Sequence, residues 1–218
     1  MKFSLLFLCF SLFSNITSCG EKQNSALMYQ PKVVDQNLSK AYFASGCFWC
    51  VEAIFESVIG VSEVVSGYSG GDAKGANYDD VSNGNTGHAE TVEIYYNPAF
   101  VTYETLLEVF FNSHDATTLN RQGPDSGSQY RSAIFYKTDE EKNIALKYIN
   151  KLYESGEYEK GSITTEVSPF KTFYAAEEYH QDYEKRNPNQ PYVRGVSVPR
   201  LKKFQAKKPE LIKKDEKH

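Results

Sequence analysis

The sequence predicts an α+β fold, a mixed β-sheet with helices packed on it. Three observations carry this. Short β-prone runs and longer runs with apolar residues at helical spacing are interspersed between residues 41 and 167. The chain has 218 residues and is 40% hydrophobic, which is enough to bury one sizeable core. Two long irregular stretches, residues 69–87 and 114–130, interrupt the periodic segments. They carry Tyr78, Arg121, Asp125 and Tyr130 and so read as ordered loops that shape a site.

Residues 41–44 form the first β-prone segment, which stops at Gly46. From Phe48 onward, Val51, Ile54, Phe55 and Val58 recur at helical spacing, and Gly60 closes the helix. Residues 61–68 and 89–96 read as strands, the second ending before Asn97-Pro98. Residues 103–112 place Leu106, Leu107, Phe110 and Phe111 on one helical face. Residues 132–136 read as a strand, 139–155 as an amphipathic helix and 164–167 as a last strand. The Lys-rich residues 201–218 read as a solvated basic tail.

The N-terminus has a different character. Lys2 precedes a nearly unbroken apolar run from Phe3 to Phe13, the layout of a secretory signal peptide and too short for a comfortable membrane span. Ile16-Thr17-Ser18-Cys19 then resembles a lipobox, where bacterial lipoprotein signals are cut before a lipidated cysteine. The expected organisation is a signal peptide over 1–18, a polar tether over 19–40, a catalytic domain over 41–200 and the tail. The expected location is extracytoplasmic, on a membrane, through lipid at Cys19. The formal net charge of -4 gives no reason to expect nucleic acid as a partner.

Of the four cysteines, Cys9 leaves with the signal and Cys19 carries lipid on this reading, so Cys47 and Cys50 remain. Cys47 falls where a strand stops and a helix starts, with Gly46 permitting the turn. Free N–H groups at a helix start stabilise a thiolate, so a lowered Cys47 pKa is expected. Cys50 lies one turn further on, within reach of a disulfide. Three readings of the pair stand at this point. One is a thioredoxin-like dithiol, for which Phe48 and Trp49 between the cysteines are bulky. Another is a metal site completed by two of His88, His114 and His180, for which no second close ligand pair exists. The third is a pair of buried structural thiols.

The motifs around the pair resemble a known family. Gly46-Cys47-Phe48-Trp49 followed by Val51-Glu52 is similar to the signature of A-type methionine sulfoxide reductases, the peptide-methionine (S)-S-oxide reductases. The likeness continues in order through residues 65–71, Tyr78, Gly87-His88-Ala89-Glu90, Asn112-Ser113-His114-Asp115, residues 121–125 and 127–132, and Glu178-Tyr179-His180-Gln181. The resemblance implies a ferredoxin-like βαββαβ core and reduction of the S epimer of methionine sulfoxide, free or in proteins. It implies no metal or other cofactor, and a monomer is expected. Residue by residue, it makes Cys47 the nucleophile and gives the substrate's S-methyl pocket to Phe48 and Trp49. It makes Glu90 the acid that protonates the sulfoxide oxygen. Tyr78 and Tyr130 hydrogen-bond that oxygen, and Asp125 supports the site. His88, His180 and Arg121 are left with structural roles. Many members resolve the oxidised nucleophile with cysteines near the C-terminus. Here no cysteine follows Cys50, and the corresponding stretch reads Pro191-Tyr192-Val193-Arg194-Gly195. Cys50 is therefore the internal thiol expected to resolve it, recycled by a thioredoxin-like reductant; the alternative is that the external reductant acts on the sulfenic acid directly.

Overall fold

The computed structural model describes residue 29 and residues 37–71 and 76–214. The expected signal peptide, Cys19 and most of the tether lie outside the described residues, as does Gly75. The elements in chain order are β1 (Ser39–Ser45), α1 (Phe48–Glu56), β2 (Val61–Ser69), α2 (Tyr78–Ser82), β3 (Ala89–Tyr96) and α3 (Tyr103–Ser113). A small ribbon of β4 (Arg121–Gln122) and β5 (Asp125–Ser126) follows, then β6 (Ser132–Tyr136), α4 (Asp139–Glu154), β7 (Glu166–Pro169), β8 (Phe173–Ala175), α5 (Tyr183–Arg186) and α6 (Val198–Lys207).

Six strands make one sheet in the order β7-β6-β1-β3-β2-β8. Every pairing is antiparallel except β6 with β7, so the sheet is mixed and the class is α+β as expected. Period-two alternation sorts its residues. Phe43 of β1, Val64 and Tyr68 of β2, and Val92, Ile94 and Tyr96 of β3 join one large core with α1, α3, α4 and α6. The opposite face is covered more thinly, with Tyr42, Ala44, Ala133 and Phe135 packing against Phe170 and Phe173. Tyr42 stacks on Phe170 with ring centroids 3.9 Å apart. That second cover explains why β8 was invisible in the sequence: three residues with two aromatics are too short to show a period.

α3 and α4 begin where side-chain caps allow. Thr102 Oγ1 accepts from the Thr105 N–H at 3.1 Å, and Thr138 Oγ1 from the Glu141 N–H at 3.2 Å. Among the described residues, the irregular stretches are not devoid of regular structure: α2 sits in the first, and the β4–β5 ribbon in the second. Arg121 Nε donates to the Gly123 carbonyl at 3.1 Å, holding the ribbon's turn.

The basic tail requires a correction. Residues 201–207 belong to α6, whose Leu201 and Phe204 are buried in the main core, as is Ile212 beyond it. Leu201 and Phe204 are three apart, on one helical face, and the lysines among them point outward. The domain therefore extends at least to Ile212 and ends in an isolated β-bridge between that residue and Val58. At the other boundary the strand starts at Ser39, inside the expected tether, and Tyr29 donates its hydroxyl hydrogen to Glu63 at 2.6 Å.

Candidate active site

The site is built where β1 ends. Gly46 takes φ +90, and a Cβ there would lie 2.5 Å from the Gln122 Cβ, so only glycine fits this turn. The chain then swings into α1 with Cys47 as its N-cap residue. β3 runs beneath. Its alternation puts Glu90 on the same face as Val92 and Ile94, the face that carries α1. The Phe48 N–H, the first free donor of the helix, bonds Glu90 Oε2 at 2.9 Å.

A pocket of about 200 Å³ opens at this junction. Cys47, Phe48, Trp49 and Glu90 line it from α1 and β3. Tyr78 comes from the start of α2, and Asp125 and Tyr130 come from the second irregular stretch. All of the sequence-predicted catalytic and substrate-contacting residues thus converge on one cavity. Cys50 is one turn deeper, buried, and both cysteines are free thiols.

Electrostatics divide the site. Glu90 is 3% exposed, and burial raises its carboxyl to about 8, with the charge of Asp125 adding to the effect and the Phe48 N–H opposing it. It is therefore a neutral acid at neutral pH. Burial, more than the neighbouring Glu90, likewise pushes the phenols of Tyr78 and Tyr130 up, so both keep their protons. Asp125 is also raised, by burial against the opposing effects of Tyr192 and Arg200.

The thiols depart from the expected pattern. Burial pushes the Cys47 thiol well up, and its hydrogen bond to Cys50 reinforces this. The Cys50 thiol is lowered to about 6, chiefly because Cys47 donates to it, with Arg200 and Ser197 helping. The contact thus disfavours the charge on Cys47 and favours it on Cys50. The Cys47 side chain makes no cap bond, and the leading N–H belongs to Glu90.

Several site residues escaped the sequence reading. Tyr192 donates to Asp125 Oδ2 at 2.5 Å, and its hydroxyl lies 3.9 Å from Cys50 Sγ. It stands in the Pro191–Gly195 stretch that the resemblance had singled out, which was the available signal. Tyr183 stacks on Trp49 at 3.7 Å with the rings 7° from parallel. Glu177 accepts from the Tyr78 N–H at 3.0 Å and from the Tyr68 hydroxyl at 3.1 Å. Arg200 of α6 donates to the Ser113 carbonyl at 2.8 Å and to the Ser45 carbonyl at 2.9 Å, directly before the Gly46 turn.

The histidines are not gathered around the cysteines. His88 Nδ1 accepts from the Gly71 N–H at 3.1 Å. His114 sits between the Phe110 carbonyl at 2.7 Å and Ser132 Oγ at 2.8 Å. His180 Nδ1 accepts from Trp49 Nε1 at 3.1 Å. Among the described residues, the group with metal-ligand spacing is Glu52, Glu56 and Asp182, and it is engaged internally. Ser66 and the Asp182 N–H donate to Glu52, and Lys185 pairs with Glu56 at 2.9 Å.

The chain is similar to known proteins over most of its described length. The sequence model for peptide methionine sulfoxide reductase matches residues 39–212. Peptide methionine sulfoxide reductase MsrA 1 of Rhodopirellula baltica is 53% identical over 164 residues, covering 75% of this chain and 84% of the relative. The crystal structure of reduced Mxr1 from Saccharomyces cerevisiae superposes with a TM-score of 0.66 at 33% identity, covering 73% of this chain and 91% of that one. Mxr1 in complex with Trx2 superposes with a TM-score of 0.50 at 25% identity, covering 73% of this chain and 94% of that one.

Proposed function

The chain belongs to the peptide methionine sulfoxide reductase family, and we propose from that premise that Cys47, Glu90 and Cys50 carry out its reaction in sequence. The enzyme reduces methionine S-sulfoxide, free or in proteins, to methionine through thiol chemistry. The observation that carries the assignment of roles is the buried, neutral Glu90 carboxyl facing the same small pocket as Cys47.

A sulfoxide sulfur is a poor electrophile until its oxygen takes a proton or a strong hydrogen bond. Glu90 supplies the proton, and the hydroxyls of Tyr78 and Tyr130 donate to the oxygen. Phe48 and Trp49 provide the apolar wall for the S-methyl group, and Asp125 supports the site through Tyr192. The Cys47 thiolate attacks sulfur. The methionine S–O bond breaks as the protonated oxygen passes to Cys47 sulfur, methionine leaves as the thioether, and Cys47 is left as sulfenic acid, having given the two electrons that reduce the sulfoxide. Cys50, as the thiol, then attacks Cys47 sulfur and its proton goes to the departing hydroxyl, which leaves as water, and a Cys47–Cys50 disulfide remains. A thioredoxin-like dithiol reduces it by exchange, becoming a disulfide itself. The complex of Mxr1 with Trx2 supports a protein donor of this class.

The test is turnover of dabsyl-methionine sulfoxide with dithiothreitol, run on both epimers with wild type and Cys47→Ser. Wild type should consume only the S epimer, and folded Cys47→Ser should be inactive. Turnover by folded Cys47→Ser would falsify the nucleophile.

The location is a further reading that rests on sequence alone. The Lys2 and Phe3–Phe13 run before Cys19 supports an extracytoplasmic lipoprotein held at a membrane surface. Native protein should partition into detergent phase, and Cys19→Ala should release it or block processing. Native protein recovered only in soluble, unlipidated form rejects the anchor.

A further inference from the structure

Trp49 is the only tryptophan of the chain, and two contacts hold its indole. Tyr183 lies flat on one face at 3.7 Å. Stacking fixes the plane of a ring but leaves it free to turn within that plane. The second contact removes this freedom: Nε1–H donates to His180 Nδ1 at 3.1 Å. A flipped indole would carry its only donor away from the acceptor and leave it unpaired in a half-buried site.

His180 is built for that task. It is 2% exposed, and burial holds its imidazole down to about 4, so the ring is neutral and Nδ1 has a lone pair to offer. Its proton therefore sits on Nε2, which faces Glu177 Oε2 at 3.9 Å. The same Glu177 takes the Tyr78 N–H at the start of α2. The His180 ring also lies against Tyr78 at 4.5 Å and Phe48 at 5.1 Å. One side chain, outside the lining of the pocket, thus touches three of its walls.

We propose that His180 is a positioning residue that sets the rotation of the Trp49 indole and, through it, the grip of the pocket on the sulfoxide side chain. It touches no reacting atom and takes no part in proton transfer. This rests on the assignment of Trp49 to the substrate wall. A wall that holds substrate and transition state alike acts on KM and leaves kcat nearly alone. Removing the acceptor should therefore raise KM about ten-fold, the scale set by an unpaired buried donor, with kcat little changed.

The experiment compares wild type, His180→Phe and His180→Asn in steady-state kinetics and in intrinsic fluorescence, which reports Trp49 alone. His180→Phe keeps a ring but has no acceptor, whereas the Asn amide oxygen falls near the place of Nδ1. The expected result is a blue-shifted emission and a raised KM in His180→Phe, with both restored toward wild type in His180→Asn. Should His180→Phe not fold, His180→Leu serves as the variant without an acceptor. Emission and KM unchanged in the variant without an acceptor overturn the proposal. Equal impairment of His180→Asn and the acceptor-free variant also overturns it, since the ring would then matter only as filling. If wild type turns over no methionine sulfoxide, the reductase reading fails by itself, and the emission spectra still decide whether His180 sets Trp49.

Discussion

The Phe48 N–H and Glu90 Oε2 are joined at 2.9 Å, so the first donor of α1 is spent on an acid of β3 and not on the neighbouring thiol. This contact holds the proton donor against the residue that follows the nucleophile.

The first prediction is a bell-shaped pH profile for kcat/KM. The Cys47–Cys50 pair must lose one proton, and Cys50 is lowered to about 6, so the rate should rise through that region. Glu90 must keep its proton, and it titrates at about 8, so the rate should fall as pH climbs through that value. Glu90→Gln keeps the shape and can still accept from Phe48, but it has no carboxyl proton. It should slow single-turnover sulfenic acid formation by about 10²–10⁴-fold and flatten the alkaline limb. An unaltered alkaline limb would assign that limb to another group.

The second prediction separates the two thiols. Cys50→Ser should reduce one equivalent of substrate and then stall as a Cys47 sulfenic acid, trappable with dimedone. Its steady-state rate with a thioredoxin-like donor should drop, and dithiothreitol should partly restore it. After one turnover without added thiol, wild type should show an intramolecular disulfide by mass. A Cys50→Ser enzyme running at the wild-type rate with the protein donor would remove Cys50 from the cycle.

Gly46→Ala is the third. The added Cβ meets the Gln122 side chain at 2.5 Å at a φ of +90, so steric overlap and backbone strain act together. The loss should exceed about 1 kcal/mol, measurable by urea unfolding, and activity should fall because the turn carries Cys47. A variant with wild-type stability would show that the β1–α1 turn relaxes freely.

Phe204→Ala is the fourth. The ring is 1% exposed in the main core, and truncating a buried phenylalanine costs about 3–5 kcal/mol. A thermal midpoint unchanged from wild type would return residues 201–207 to the solvated tail that their lysines first implied.

Where a period or a dense motif existed, the sequence was readable. The alternation around Val92 and Ile94 locates β3 and puts Glu90 on its inner face, and the helical spacing of Val51, Ile54 and Phe55 locates α1. The site's first ring of residues was legible through ordered motifs rather than physics: nothing in the spacing of Tyr78 or Tyr130 reveals that loops fold them onto Cys47. Glu177, Tyr183 and Tyr192 were not legible because each lies in or beside an element of three to five residues, too short to display a period. Arg200 was lost among the lysines of α6, although Leu201 and Phe204 beside it carried a usable signal. The direction of the Cys47 shift failed for a different reason. Burial and proton sharing are three-dimensional facts, and a helix start in one dimension says nothing of which acceptor its first N–H will meet.

Arg200 has one more consequence, concerning time rather than energy. Its guanidinium clamps the carbonyls of Ser45 and Ser113, on either side of the nucleophile's turn, from nearly the end of the chain. Synthesis delivers the N-terminus first. A growing chain therefore exposes Cys47 and Cys50 to its surroundings long before α6 exists to close over them. A chain stopped short of residue 200 carries every catalytic group and neither clamp. The two Arg200 contacts around the thiols form only when α6 docks.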